Sequence, residues 1–329
     1  MINVLATLSL WELIQRGWDV LLRDYHWFIT KPLEIALLQR SLEAAILVGV
    51  LSGVVGSLVV VRGMSFFADA LSHSILPGVA IMYQRSRAGD VPDIPGVRDA
   101  NPLLWGALGA GLASTFLIGF LTRHERLRSD TAIGIVFAGM FALGIAMVSR
   151  VESYAGDLTH ILFGQILGVG PQDLNIIIGF SVVVLLIIII FYKEFMLISF
   201  DPLLAKTLRL PTEFFRYLLL LLIATTIVVS LQIVGISLML ALLITPAATA
   251  SLITHRLHWM MVLAALMGSA SSVIGFYASY HLDVATGPAI VLAATGMFGV
   301  VFLEQTLQNQ VRLGLYRLRQ TQKTSPAKT

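Results

Sequence analysis

The 329-residue sequence contains no cysteine. A disulfide framework, a thiolate metal site and a cysteine nucleophile are therefore excluded. Charge is scarce as well. Asp, Glu, Lys and Arg make up 12% of the chain, against about 25% in an ordinary soluble domain. There is no HExxH zinc-protease helix, no GxSxG nucleophile elbow and no GxxxxGK[ST] phosphate loop, so any ATP-driven work must draw on ATP bound elsewhere. The basic residues form no nucleic-acid patch. What is abundant is hydrocarbon: 57% of residues are hydrophobic and the mean hydropathy is +0.85. A soluble fold of this size would leave much of that surface bare in water. The class that survives is an all-α polytopic membrane protein.

A bilayer crossing needs about 20 apolar residues. Charge-free runs near that length cover 44–61, 102–122, 131–149, 174–192, 259–280 and 284–303. A further run, 217–254, is 38 residues long. As one helix it would reach about 57 Å, nearly twice the hydrocarbon thickness, so it is expected to split at Gln232–Gly235 into two helices. The segment 66–84 is apolar except for Asp69 and His73. About nine spans result. If the side carrying Arg62 is the inside, alternation places Arg123, Arg126, Arg128, Lys193, Lys206, Arg209, Arg216 and Arg256 there, with Arg312, Arg317, Arg319, Lys323 and Lys328 of the C-terminal tail. The outer loops keep Arg85, Arg87, Arg98 and Arg150. That asymmetry is the positive-inside pattern.

Three divisions follow: an N-terminal segment 1–33, a transmembrane domain 34–304 and a basic, cytoplasmic tail 305–329. The first segment mixes Trp11, Trp18 and Trp27 with charges and reads as a helix lying in the membrane interface. The tail from Gln320 reads as disordered. Gly49, Gly53 and Gly56, and again Gly106, Gly109 and Gly111, offer close helix packing. Pro77, Pro246 and Pro288 are each expected to kink or break a helix.

Within the spans, Asp69 and His73 carry the chemistry. An ionisable residue there costs roughly 2.5 to 3.5 kcal/mol on insertion scales and marks the bundle interior or a polar path. Spaced i, i+4, the two side chains share one helical face about 5–6 Å apart at Cβ. One carboxylate and one imidazole can bind a divalent ion, with manganese, zinc and iron(II) all suited to oxygen and nitrogen ligands. Two ligands are too few for a tight site, and a two-fold dimer would supply four. The spacing is equally compatible with a structural ion pair, or with Asp69 as a helix cap. Metal ligation requires neutral His73, so acid weakens such a site.

These residues lie in a longer pattern. Gly56-Ser57-Leu58-Val59-Val60-Val61-Arg62 and Asp69-Ala70-Leu71-Ser72-His73-Ser74-Ile75-Leu76-Pro77-Gly78 resemble the signature of the metal-ion permease family of ABC transporters. The match continues through Asp130-Thr131-Ala132-Ile133-Gly134-Ile135, Leu162-Phe163-Gly164-Gln165-Ile166-Leu167-Gly168, Phe200-Asp201-Pro202, Val234-Gly235-Ile236, Ala241 to Ala250 and Thr286-Gly287-Pro288. Together these blocks cover roughly residues 37 to 304. Ala285 departs from the proline usual before Thr-Gly-Pro, which is expected to loosen that turn.

The resemblance implies an ABC importer permease fold, dimeric, of identical or related permease subunits, in a prokaryotic cytoplasmic membrane. It also implies cytoplasmic ABC ATPase subunits, an extracytoplasmic metal-binding protein and a transported Mn2+, Zn2+ or Fe2+ ion, with no permanently bound cofactor, no catalytic residues and no nucleic-acid partner. Asp69 and His73 match the family's candidate pathway ligands. On the inner side, Phe200, Asp201, Pro202, Leu203, Leu204, Lys206 and Leu208 are expected to form the ATPase-coupling helix, with Asp201 as N-cap and Pro202 at its first position. The competing reading is a proton-coupled secondary metal transporter without an ATPase. Asp157 with His160, and His281 with Asp283, read as outer surface pairs.

Overall fold

The computed structural model describes residues 30–89, 102–123, 127–149 and 168–324. The interfacial segment up to residue 29, the pair Asp157 and His160, and residues 162–167 of the Leu162–Gly168 block lie outside these. After a single turn at Lys31–Leu33, the helices are α1 (Ala36–Val61), α2 (Ser65–Ser74), α3 (Leu76–Arg87), α4 (Pro102–Leu121), α5 (Ser129–Val148), α6 (Pro171–Ile190), α7 (Tyr192–Phe200), α8 (Pro202–Thr207), α9 (Thr212–Val234), α10 (Ile236–Ile253), α11 (Leu257–Leu282) and α12 (Thr286–Thr324). With α2 and α3 counted as one crossing, nine helical stretches among the described residues are long and apolar enough to span a membrane. The fold is all-α and polytopic.

Each boundary has a local cause. The long apolar run divides at Gly235, whose φ of 79° lies in the region that favours glycine. Its neighbours Val234 and Ile236 end α9 and begin α10. The break between α2 and α3 falls beside Pro77, which has no N–H to give to the His73 carbonyl four residues back. The other two prolines do not break their helices. Pro246 lies inside α10, which continues to Ile253. Pro288 sits in the first turn of α12, where helical N–H groups have no partner in any case. The last helix also runs past Gln320 to Thr324 rather than losing order there. Ala285 does not loosen its turn: Ser279 Oγ bonds the Val284 carbonyl at 2.7 Å and the Thr286 hydroxyl at 2.8 Å.

Helix ends meet in the order that alternation demands. Arg62 after α1 reaches Ser199 at the end of α7. Arg216 in the first turns of α9 reaches Thr122 after α4. Gln305 of α12 caps the Leu252 carbonyl of α10 at 2.7 Å. These contacts collect one end of the bundle, the Arg62 end. The core centres on α9, with 72% of its apolar window buried, and on α1, with 67%. Helices α5, α6 and α12 each bury 22% and form the periphery.

Close backbone approach holds α1 against α11. A Cβ on Gly49 would lie 2.7 Å from the Gly268 carbonyl oxygen, and one on Gly53 would lie 2.6 Å from that of Ala264. Gly109, by contrast, faces open space. Gly53→Val therefore requires the two helices to separate, at an expected cost of about 1–3 kcal/mol. Its thermal melt in detergent should fall clearly below that of Gly109→Ala, and equal melting points would contradict this packing.

Candidate translocation site and coupling surface

Helix α2 starts at Ser65 with Met64 as its cap residue, so Asp69 lies inside the helix and is not its cap. Four residues on, His73 occupies the same face. The imidazole Nε2 and the carboxylate Oδ1 are 3.9 Å apart. That is too long for a hydrogen bond, yet two coordinate bonds of about 2.1 Å laid end to end span it. The side chains of Asp69 and His73 remain 46% and 30% exposed. The pair therefore looks outward from the chain while its neighbours Ala68, Ala70 and Leu71 are buried.

Two aromatic rings of α5 flank the imidazole. Phe137 and Phe141 lie edge-on to His73 with ring centroids at 6.0 and 5.6 Å, and stack on each other at 5.7 Å. They give His73 an apolar wall on one side and leave the Asp69 side open. Sequence reasoning does not single out these phenylalanines, although their i, i+4 spacing within an apolar span is the available signal. Among the described residues no group of three or more His, Asp or Glu side chains converges. One chain thus places one carboxylate and one imidazole on an exposed face, fewer groups than a tight metal site needs.

At the Arg62 end, α7 and α8 form a short helical pair. Asp201 caps α8 by accepting the Leu204 N–H at 2.9 Å, and Pro202 opens the helix. Helix α8 ends at Thr207, with Leu208 as its C-cap. Phe200 closes α7 rather than belonging to α8. Ala205 is fully buried, whereas Phe200, Leu203, Leu204 and Leu208 are 58%, 74%, 45% and 59% exposed. Lys206 is exposed beside them. The apolar surface here faces away from the bundle. Beneath it, Phe191, Phe195 and Phe215 interlock edge to face at 5.4–6.5 Å and fasten α7 to α9. A force on α8 has a packed route into the most buried span.

At the opposite end, His281 and Asp283 border a cavity that Lys31 also lines. Asp283 takes up a left-handed conformation, φ 52°, where α11 ends. The His281 ring packs edge-on to Tyr280 at 5.2 Å.

A bundle of long apolar helices with an exposed Asp69–His73 pair and an exposed apolar short helix defines the class: a polytopic membrane protein. Residues 34–305 match the ABC 3 transport family, and the chain belongs to that family. It is 42% identical over 276 residues to the manganese transport system membrane protein MntC of Listeria monocytogenes, covering 84% of this chain and 93% of that one. It is 40% identical over 281 residues to the manganese import system permease protein ScaB of Streptococcus gordonii, covering 85% and 92%. Among solved structures, PsaBC from Streptococcus pneumoniae in complex with Fab is similar at a TM-score of 0.70 and 38% identity, over 84% of this chain and 94% of that one.

Proposed function

We propose that this chain is the membrane-spanning subunit of an ATP-driven importer of divalent transition-metal ions, with manganese as the favoured cargo. The observation that carries the reading is the Asp69–His73 pair: adjacent, outward-facing and incomplete. Its ligand types suit manganese, zinc and iron(II) alike. The two permease relatives named for manganese, at 42% and 40% identity, favour manganese among the three. Family membership favours ATP drive over proton coupling.

In this reading two permease copies meet across the α2 face, and the two Asp69–His73 pairs supply four ligands to one ion. A site assembled from two chains can be opened by moving them apart, which suits a carrier that must release its cargo. The Arg62 end faces the cytoplasm, in keeping with its excess of Lys and Arg, and the C-terminus lies on the same side. A separate ATPase subunit docks on Phe200, Leu203, Leu204 and Leu208, with Asp201 and Pro202 setting the helix start and Lys206 at the rim. An extracytoplasmic binding protein delivers the ion to the other face. ATP-driven displacement of α8 passes through the Phe191–Phe195–Phe215 cluster to α9 and swings the bundle between outward and inward states.

Two experiments test this. In vesicles carrying the permease with its ATPase and binding protein, ATP-dependent 54Mn uptake should fall at least about tenfold in Asp69→Asn and in His73→Ala. Membrane expression and ATPase association should be unchanged. Wild-type uptake by both variants would make the pair structural. Second, Leu204→Asp combined with Leu208→Asp should reduce copurification of the ATPase roughly fivefold or more, because each is an apolar anchor in the proposed interface. Undiminished copurification would place the docking surface elsewhere.

A further inference from the structure

A second site lies apart from the metal-ligand face. At the Arg62 end an open cleft of about 600 Å³ is lined by the α1–α2 turn, the end of α4, the start of α5, the α7–α8 junction and the first turns of α9. Its polar lining is dominated by Arg62, Arg128 and Arg216, with the hydroxyls of Thr122, Ser129 and Ser199. Phe67 also lines it, while Asp69 and His73 do not. The cavity is therefore off the proposed ion path, and its charge would repel a cation.

The charge in this cavity is only partly compensated. Arg62 Nε donates to Ser199 Oγ at 3.2 Å, but no carboxylate pairs with Arg62 among the described residues. Burial, and then the charge of Arg216, lower the Arg62 guanidinium to about 10. Arg216 is better served: it bonds Thr122 at 3.0 Å, the Gly119 carbonyl at 3.1 Å and Glu213 at 2.8 Å. Even so, its Nε is buried with no partner. The single acidic group lining the space is Asp130, exposed in the first turn of α5. A buried cation without a counter-charge is costly, and an anion placed here would offset the charge of Arg62. The N-terminus of α5, which has no side-chain cap, adds its positive dipole end.

The geometry points to this cavity as a binding site for a phosphate group, either free inorganic phosphate or the phosphate of an anionic lipid headgroup. The three arginines come from separate segments, Arg62 from the α1–α2 turn, Arg128 before α5 and Arg216 from α9, and line one cavity. Arginine forks match phosphate oxygens. The site lies where the apolar spans end, and Pro202 at the start of α8 forms part of its wall. An anion bound here would tie the α7–α8 pair to α1, α5 and α9.

The test uses the full-length chain. Binding of 32P-phosphate is measured in phosphatidylcholine nanodiscs, and retention of phosphatidylglycerol against phosphatidylcholine is measured by native mass spectrometry of detergent-purified protein. Wild type is compared with Arg62→Gln and Asp130→Asn, each checked by size exclusion and thermal melt. Saturable phosphate binding, weakened at least about tenfold by Arg62→Gln and tightened by Asp130→Asn, assigns the site to the free anion. No free-phosphate binding, with selective phosphatidylglycerol retention that Arg62→Gln abolishes, assigns it to the lipid headgroup. If Arg62→Gln does not fold, the wild-type preference and the Asp130→Asn increase still decide. Absence of both ligands in the wild type overturns the proposal. So does loss of ATPase association in Arg62→Gln with no phosphate or lipid effect, which would give the arginines an acidic protein partner instead.

Discussion

A carboxylate and an imidazole one helical turn apart, in an otherwise apolar span, set the terms for the rest of this bundle. Each costs free energy to hold in hydrocarbon, so the span that carries them must be anchored on its other faces. Phe67, Ala68, Ala70 and Leu71 provide that anchorage and are fully or almost fully buried. The outward face is left to Asp69 and His73, 3.9 Å apart and backed by Phe137 and Phe141. Because the pair faces out, a single chain surrounds it only on one side. In the proposed arrangement the ion is bound between copies, and its release follows from their separation.

The surrounding architecture suits that arrangement. Small-residue contacts such as Gly49 on Gly268 hold α1 and α11 at backbone distance and make that side stiff. The α2–α3 segment is interrupted beside Pro77, one turn beyond His73, so the ligand-bearing helix is short and ends close to its ligands. At the Arg62 end, α8 presents leucines outward and is joined through packed phenylalanines to α9, the most buried span. The basic cavity borders the same junction. The proposed ATPase-docking surface and the proposed anion site thus share α7, α8 and the start of α9.

Much of this was legible in the sequence, for physical reasons. Spans announce themselves by charge-free length, and the split at Gly235 follows from a run too long for one crossing. The i, i+4 spacing placed Asp69 and His73 on one face, and Asp201-Pro202 marked a helix start that the structure reproduces. Other features were less legible. Pro246 did not break its helix, where neighbouring helices packed against α10 hold it together. Helix α12 continues past Gln320 to Thr324. Phenylalanines 137 and 141 were hidden because an aromatic in an apolar span looks like any other hydrocarbon until its neighbour is known. The arginine cavity was invisible for a different reason: Arg62, Arg128 and Arg216 are far apart in sequence and meet only through the crossing of five segments.

The central claim is that one ion is held by the Asp69–His73 pairs of two chains. Pulsed electron paramagnetic resonance of Mn2+ bound to the assembled permease tests it directly, by resolving nitrogen hyperfine couplings to the metal. Two equivalent histidine nitrogens per manganese, both lost in His73→Ala, are the predicted result. A manganese centre with one histidine nitrogen, or with oxygen ligands alone, would contradict the two-chain site.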